Sequence, residues 1–231
     1  ARRLGDGRAR LMKVVLLHAF PLDERMWDQQ RKVLAAHEVV APNLYDLGGN
    51  SIDAWARRIL AETPGDLAAV GASLGGYVGL AMARQAPDRV RALLLAGSRA
   101  SADPPERRAA REEMIRVVTE EGIEGWNRDF DPRGPSDRTT DELVRGIEAL
   151  RDRPDAADVV AVFEGPLAVV VGDQDELLPV EEARRIAESA PNGRLAAVEG
   201  AGHLVNLDAP ERFNELLGEL LERAPEETKH L

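Results

Sequence analysis

The chain has 231 residues, of which 44% are hydrophobic and 31% charged, carries a formal net charge of −11 at pH 7 and contains no cysteine. This length and composition predict a single globular domain with a large buried core. The acidic balance argues against a general nucleic-acid binder and against docking on anionic membranes, since both need a basic surface, and the lack of cysteine excludes disulfides and thiolate sites.

Short apolar runs alternate with longer amphipathic segments along the first hundred residues. We predict strands at 13–18, 38–42, 66–72 and 91–97, and helices at 24–36, 51–62 and 77–86. Ser51 is a suitable N-cap for the second helix, and Pro87 ends the third. In the first helix, the spacing allows one shared face for Met26, Trp27, Val33 and Leu34.

Residues 99–163 break this rhythm, because they contain no convincing strand. They hold helical segments at 107–122, 123–130 and 139–152, separated by proline and glycine, which indicates a helical insertion. The alternation then resumes, with strands at 166–172 and 194–200, a helix at 180–190 and a terminal helix from about residue 208 to about residue 223.

Strands that alternate with helices form a parallel sheet covered on both faces, and the near-continuous apolar strands fit burial on both sides. We therefore predict one α/β domain over residues 1–231, with about six mostly parallel strands. Its core would comprise residues 13–98 and 164–224, and its helical insertion residues 99–163. The sequence leaves open whether residues 1–11 are native or Met12 is the natural start.

Residues 71–75 read Gly-Ala-Ser-Leu-Gly and join a predicted strand to a predicted helix. A G-x-S-x-G motif in that context is typical of a nucleophile elbow, in which a serine hydroxyl stands on a strained turn above the sheet edge. The alternative is a glycine-rich turn that only packs a helix tightly on a strand. The placement between strand and helix favours the elbow, with Ser73 as the nucleophile.

A serine nucleophile requires a histidine base and an acid that orients it. The chain has four histidines. His203 follows the last strand in a glycine-rich loop, on the same sheet edge as Ser73, and is the preferred base. We expect His18 to be a packed histidine without a catalytic role and His37 to be a surface residue, and His230 lies in the C-terminal tail.

The acid should follow the carboxyl end of the preceding strand, where Asp173, Asp175 and Glu176 are candidates. The order serine, acid, histidine along the chain matches enzymes with a nucleophile elbow. Backbone N–H groups must hold the oxyanion. The natural donors are Leu74, directly after the serine, and Phe20, in the loop after the first strand.

Together the segments HAFPL…MW, GASLGG, GDQDELLP and GAGH…PERF resemble the α/β-hydrolase superfamily over nearly the whole chain. Within the superfamily, the chain is most similar to the small bacterial esterase and enol-lactonase group. The segment RPD at 153–155 also resembles a segment found in that group. The resemblance implies an α/β-hydrolase fold with Ser73, Asp175 and His203 as the catalytic triad, the acid being chosen by the family pattern G-x-x-D-x-x-x-P. It also implies Phe20 and Leu74 as oxyanion donors, and residues 99–163 as a cap over the site.

Three features depart from the family pattern. His18-Ala19 stands where the family usually has His-Gly, so we expect the Ala19 side chain to narrow the loop before Phe20. Residues 1–12 barely hold one strand, so we expect a trimmed sheet that begins at the family's third strand. The loop at 43–51 stands where the family often has an aspartate, an arginine and glycines, so we expect its usual tie to the sheet to differ.

The residues and the resemblance predict a serine hydrolase that cleaves a small to medium ester, thioester or lactone through an acyl-enzyme. Trp27, Trp126 and Phe130 are candidate substrate-pocket residues. A C–C bond hydrolase or a cofactor-free perhydrolase would use the same triad. A ligand-binding or signalling protein on this fold would show little turnover.

The expected partner is a small-molecule acyl substrate, with no nucleic acid and no membrane. The sequence shows no metal-ligand cluster and no Walker-type phosphate loop, so we expect no cofactor and no metal. The absence of cysteine fits a reducing compartment, and the expected location is the bacterial cytoplasm. Monomer and homodimer are both open.

Overall fold

A computed structural model describes residues 13–130 and 137–225 of the chain. Within these ranges the six strands are β1 (Lys13–Leu17), β2 (Glu38–Val40), β3 (Leu67–Ala72), β4 (Val90–Ala96), β5 (Leu167–Gly172) and β6 (Gly193–Val198). Each lies where the sequence predicts a strand. The expectations for residues 1–12 and for His230 concern parts of the chain outside the described residues.

The helices are α1 (Asp28–Val33), α2 (Ile52–Glu62), α3 (Leu74–Gln85), α4 (Pro105–Asp129), α5 (Thr140–Arg151), α6 (Ala157–Val162), α7 (Val180–Ser189), α8 (Val205–Asp208) and α9 (Pro210–Arg223). Short 3₁₀ segments occupy Glu24–Trp27 and Leu44–Leu47. Ser51 caps α2 as predicted, since its hydroxyl accepts the Ala54 N–H at 3.3 Å. None of the helices in the described ranges is long and apolar enough to cross a membrane.

All six strands form one parallel sheet in the order β2-β1-β3-β4-β5-β6. From β1 the chain runs outward to β2, returns to the other side of β1 as β3, and continues outward to β6. The connections after β1 and β3 therefore diverge, which opens a crevice at the carboxyl edge of the sheet. Leu17 pairs with Gly71 in register, so the segments that follow them start side by side.

Alternate strand residues face two helical layers, as expected for a sheet that is buried on both sides. One layer includes α2, α3, α6 and α7 and packs on strand residues such as Val15 and Leu95. The other includes the Glu24–Trp27 segment and α9 and packs on residues such as Val14 and Leu94. The predicted α/β architecture, with helices on both faces of a parallel sheet, is confirmed.

One prediction about the first helical segment is wrong. Met26, Trp27 and Leu34 are buried, but Val33 is 54% exposed. The segment begins as the 3₁₀ turn Glu24–Trp27 and becomes α-helical only afterwards. Because a 3₁₀ turn has three residues per turn, a single 3.6-residue period does not extend across the segment.

Where described, residues 99–163 contain the helices α4, α5 and α6 and no strand, and these helices belong to two different apolar clusters. The long helix α4 bends at Gly122, whose φ of 66° is left-handed, so the bend falls where the sequence predicts a break between two helical segments. α4 and α5 build a separate apolar cluster with Val118, Trp126, Leu143 and Ile147 at its centre. In contrast, α6 adds Val159 and Val160 to the main core.

Candidate active site

Ser73 stands on a strained turn between β3 and α3. Its backbone, at φ 48° and ψ −110°, makes it the only non-glycine residue with a positive φ in the described ranges. Such a conformation costs roughly 1–3 kcal/mol, so neighbouring contacts must hold it. One of them is the hydrogen bond that the Ser73 N–H donates to Ala96 O at 2.8 Å.

The glycines on both sides of Ser73 are required by close backbone contacts. A Cβ atom on Gly75 would lie 2.0 Å from Leu17 O, and a Cβ atom on Gly71 would lie 2.3 Å from the carbonyl carbon of Gly75. Both distances are far below van der Waals contact. Glycine at these positions therefore lets the start of α3 approach the end of β1.

Ser98 is a residue of this turn that the sequence does not single out. It is fully buried just after β4, and its hydroxyl donates to Ser73 O at 2.9 Å. A Cβ atom on Gly76 would lie 2.0 Å from that hydroxyl, so Gly76 leaves the space that Ser98 fills. In the sequence around Ser73, Gly76 is the only residue that indicates this contact with Ser98.

Two backbone amides lie near the carboxyl ends of β1 and β3. Leu74 is the first residue of α3, so its N–H is one of the amides at the helix N-terminus that have no partner within the helix, where negative charge is favoured. Phe20 follows β1. Within the described chain, no backbone carbonyl accepts the Phe20 N–H. The predicted donors are therefore both placed at the edge where Ser73 stands.

His203 and Asp175 form a hydrogen-bonded pair. His203 Nδ1 lies 2.9 Å from Asp175 Oδ2 and 3.0 Å from Asp175 Oδ1. The Asp175 side chain is completely buried, and that of His203 is 22% exposed. Because a carboxylate only accepts, Nδ1 carries the proton, and Nε2 is the basic nitrogen of the neutral ring.

The surroundings of Asp175 keep it ionised. Burial raises its pKa, but the hydrogen bond and charge of His203 and the amides of Leu178 and Leu177 lower it, and the resulting pKa is below the usual value. The two amides donate to Asp175 Oδ1 at 3.0 Å and 2.8 Å. The carboxylate is thus fixed in orientation as well as in charge.

Neither of the other two acidic candidates forms a hydrogen bond or ion pair with His203. Asp173 accepts the Gly200 N–H at 2.8 Å, which joins the loop after β5 to the loop after β6. Glu176 is exposed. Asp175 is therefore the carboxylate that the structure places against the imidazole, as the family pattern implies.

Gly97, directly after β4, makes room for the His203 ring. A Cβ atom on Gly97 would lie 3.0 Å from both Cε1 and Nδ1 of His203. The preceding residue, Ala96, accepts the Ser73 N–H, so His203 lies against the strand end that holds the Ser73 turn. His203 Nε2 is buried and makes no hydrogen bond within the described chain, to Ser73 or to any other residue.

Phe20, Trp126 and Phe130 meet between the sheet edge and the helical insertion. The Phe20 and Trp126 rings are 5.3 Å apart in an edge-to-face arrangement, and the Trp126 and Phe130 rings are 5.6 Å apart. A Cβ atom on Gly146 of α5 would lie 2.4 Å from the Phe20 ring. Gly146, which the sequence does not single out, therefore admits this side chain.

Trp27 does not join this aromatic group. It is fully buried in the core layer formed with α9, where its ring centre lies 5.8 Å from that of Phe213. Its position is that of a core residue, so we leave it out of the candidate pocket.

The described residues include no group of three or more histidine, aspartate or glutamate side chains placed to hold a metal ion. The groups gathered at this edge are a hydroxyl, an imidazole, a carboxylate and two backbone amides. Such a set is suited to attack by an activated hydroxyl on a carbonyl carbon while the amides face the carbonyl oxygen.

A family model described as the alpha/beta hydrolase family matches residues 14–216. Among curated proteins, the pimeloyl-[acyl-carrier protein] methyl ester esterase of Aromatoleum aromaticum is 29% identical, over 86% of this chain and 93% of its own. A putative carbamate hydrolase of Azorhizobium caulinodans is 27% identical, over 83% of this chain and 84% of its own.

Solved structures share the architecture. A thermophilic esterase from Thermogutta terrifontis, solved with malate bound, superimposes with a TM-score of 0.81 at 28% identity and covers 91% of this chain and 89% of its own. The enol-lactonase from Burkholderia xenovorans superimposes with a TM-score of 0.79 at 20% identity, over 94% of each chain. At that identity the second likeness establishes the fold alone.

Proposed function

This chain belongs to the alpha/beta hydrolase family, and from that premise we propose that it is a serine hydrolase that cleaves carboxylic esters, thioesters or lactones. The observation that carries the proposal is the buried Asp175 carboxylate, 2.9 Å from His203 Nδ1, at the sheet edge where Ser73 stands on a strained turn. In this proposal Ser73 is the nucleophile, His203 the base and Asp175 the acid.

The reaction proceeds in two steps. Ser73 Oγ attacks the acyl carbon while His203 Nε2 takes the hydroxyl proton, and the carbonyl electron pair moves onto oxygen. The tetrahedral intermediate collapses as His203 returns the proton to the leaving group, which leaves an acyl-enzyme. Water, deprotonated by His203, then attacks the acyl-enzyme and releases the carboxylic acid and Ser73.

The remaining groups stabilise charge. Asp175 keeps the imidazole proton on Nδ1 and stabilises the imidazolium that forms when Nε2 accepts a proton. The Phe20 and Leu74 amides hold the oxyanion, and the N-terminus of α3 adds a favourable potential there. In sites of this kind, removal of one oxyanion donor costs about 3–4 kcal/mol of transition-state stabilisation.

The substrate is proposed to be a small molecule with an apolar acyl group. The aromatic group of Phe20, Trp126 and Phe130 supplies an apolar wall, and residues 99–163 act as the cap that covers it. The relatives' descriptions name a methyl ester and, putatively, carbamates. Both contain a carbonyl carbon bonded to a heteroatom leaving group, which is the bond that this mechanism breaks.

A fluorophosphonate probe tests the proposal even while the substrate is unidentified, because it reacts with the activated serine itself. Intact mass should show one covalent adduct on the wild type and none on Ser73→Ala, with a much slower reaction for His203→Ala. Matched p-nitrophenyl esters of increasing acyl length would then define the pocket. A folded wild-type protein that forms no adduct would overturn the proposal.

A further inference from the structure

His18 lies directly after β1 and is completely buried. Both of its ring nitrogens are hydrogen-bonded to backbone groups: Nδ1 lies 3.0 Å from Ala19 O, and Nε2 lies 2.9 Å from the Leu44 N. The mechanism proposed above gives this histidine no role.

The partners of His18 determine its protonation. The Leu44 N–H can only donate, so Nε2 must be an unprotonated acceptor. Ala19 O can only accept, so Nδ1 must carry the proton. Burial, the largest cause, lowers the pKa of His18 to about 4, so the neutral ring with its proton on Nδ1 is the form present near neutral pH.

The peptide unit held by His18 is the one that carries the proposed oxyanion donor. Ala19 C=O and Phe20 N–H belong to the same planar peptide, so a bond that fixes the direction of the carbonyl also fixes the direction of the N–H. A hydrogen bond to the carbonyl also polarises the peptide and makes its N–H a stronger donor.

We infer that His18 is a positioning residue for the reaction: its Nδ1–H holds the Ala19–Phe20 peptide so that the Phe20 N–H faces the oxyanion. This inference rests on the proposed function, in which the Phe20 amide is an oxyanion donor. The Leu44 N–H in turn anchors the ring, and the Tyr45 ring, 5.1 Å away, packs beside it.

The neighbouring contacts hold the same loop from its other end. The Ala19 N–H donates to Met26 Sδ at 3.1 Å, and the Ala19 side chain is fully buried. Ala19 is therefore hydrogen-bonded at both its N–H and its C=O. Only the bond to its C=O, from His18, lies in the peptide unit that carries the Phe20 N–H.

Three substitutions separate the two hydrogen bonds of His18. His18→Leu removes both. His18→Asn places an amide N–H near the position of Nδ1 and can still donate to Ala19 O, whereas His18→Gln places its amide near the position of Nε2 and can bind only Leu44. Each variant is assayed with p-nitrophenyl butyrate, with propylboronic acid as a tetrahedral analogue, and with butyrate as the product.

We expect His18→Leu and His18→Gln to lower kcat about 10- to 100-fold with KM changed less than about threefold, and His18→Asn to recover most of the loss. Propylboronic acid binding should weaken by the same factor as kcat/KM, because its oxygen occupies the oxyanion position, while butyrate binding stays unchanged. Ile59→Ala in α2, a core change away from the site, should lower Tm without changing kcat.

The possible outcomes are distinct. If wild-type protein binds no boronic acid and forms no fluorophosphonate adduct, the proposed function fails and this inference fails with it. If the wild type reacts but His18→Leu keeps its kcat, only the role of His18 is overturned. If His18→Leu does not fold, the activities of His18→Asn and His18→Gln are compared instead. Equal activity of these two variants overturns the inference.

Discussion

The imidazole of His203 lies against the backbone of Gly97, where a Cβ atom would lie 3.0 Å from two of its ring atoms. The same Cβ atom would lie 2.9 Å from the backbone oxygen of His203, so Gly97→Ala should displace His203 by a few tenths of an ångström, and the φ of 59° at Gly97 adds strain for alanine. Because misplaced catalytic groups reduce rates steeply, we expect kcat for p-nitrophenyl butyrate to fall about tenfold or more, with KM nearly unchanged. Unchanged kcat in a folded variant would contradict this placement of the base.

Gly79 and Gly75 offer a matched pair on α3. A Cβ atom on Gly79 would make only ordinary contacts of 3.6 Å or longer, whereas one on Gly75 would lie 2.0 Å from Leu17 O. Gly79→Ala should raise the free energy of unfolding by about 0.5–1 kcal/mol, since alanine is the better helix former. Gly75→Ala should lose folding or activity outright. Urea unfolding of both variants checks the pair, and equal effects would show that the elbow tolerates a side chain.

Asp175→Asn tests the acid. Asparagine can still accept the Leu177 and Leu178 amides, but it no longer stabilises a charged His203 and can favour the wrong tautomer. We expect kcat to fall about 10³- to 10⁴-fold with little change in Tm. The control is Asp173→Asn, because Asp173 accepts the Gly200 N–H and should change kcat by less than about threefold. Equal losses of kcat in Asp175→Asn and Asp173→Asn would show that Asp175 is not the acid of the triad.

The strands and the nucleophile turn can be predicted from the sequence because their signals are local. The runs that form β1 and β3 are apolar at nearly every position, which is what burial on both faces demands. Gly71 and Gly75 contact each other and the adjacent strand across a single turn, so a motif of five residues already contains most of that geometry. Asp175 is one of three acidic candidates in its loop, and only the family pattern separates it from the others.

The residues that the sequence does not reveal depend on contacts with distant segments. Gly97 makes room for a histidine more than a hundred residues further along the chain, and Gly146 makes room for Phe20 across the same kind of separation. Nothing around either glycine indicates its partner. The sequence makes Trp27 a pocket candidate, but its side chain packs on Phe213 in the core, and the local sequence does not determine which of the two places it takes.

Arg153 should contribute more to stability than an exposed arginine of the same insertion. It forms an ion pair with Asp103 at 2.7 Å, and the two side chains are 1% and 0% exposed. Its guanidinium also lies 4.3 Å above the Tyr77 ring. Without Arg153, the buried Asp103 carboxylate would keep only the more distant Arg111, at 3.5 Å, as a charged partner. Arg153→Met should therefore lower the free energy of unfolding by about 3 kcal/mol.

The matched control for Arg153 is Arg116. It pairs with Glu113 on the surface of α4, where both side chains are half exposed, so Arg116→Met should destabilise the protein far less than Arg153→Met. Urea denaturation of the two variants gives the comparison. Similar losses would mean that the buried pair adds nothing beyond a surface pair.

His18 should make the stability of the protein depend on pH. Its pKa is about 4 in the folded chain, chiefly because of burial, against an ordinary value of 6.5. The unfolded chain therefore binds a proton more readily than the folded chain, so stability is complete above about pH 6.5 and falls as the pH drops toward 4. Between about pH 7.5 and about pH 5 the loss from this one group is roughly 2 kcal/mol.

The His18→Asn variant isolates this contribution, because asparagine does not titrate and every other ionisable group is common to both proteins. Free energies of unfolding in urea at the two pH values give four numbers, and the difference of differences cancels the carboxylates that also respond over this range. Wild type should lose about 2 kcal/mol more than His18→Asn on acidification. Equal losses would mean that His18 has the same pKa in the folded chain as in the unfolded chain. That result would contradict its burial and its hydrogen bonds to Ala19 and Leu44.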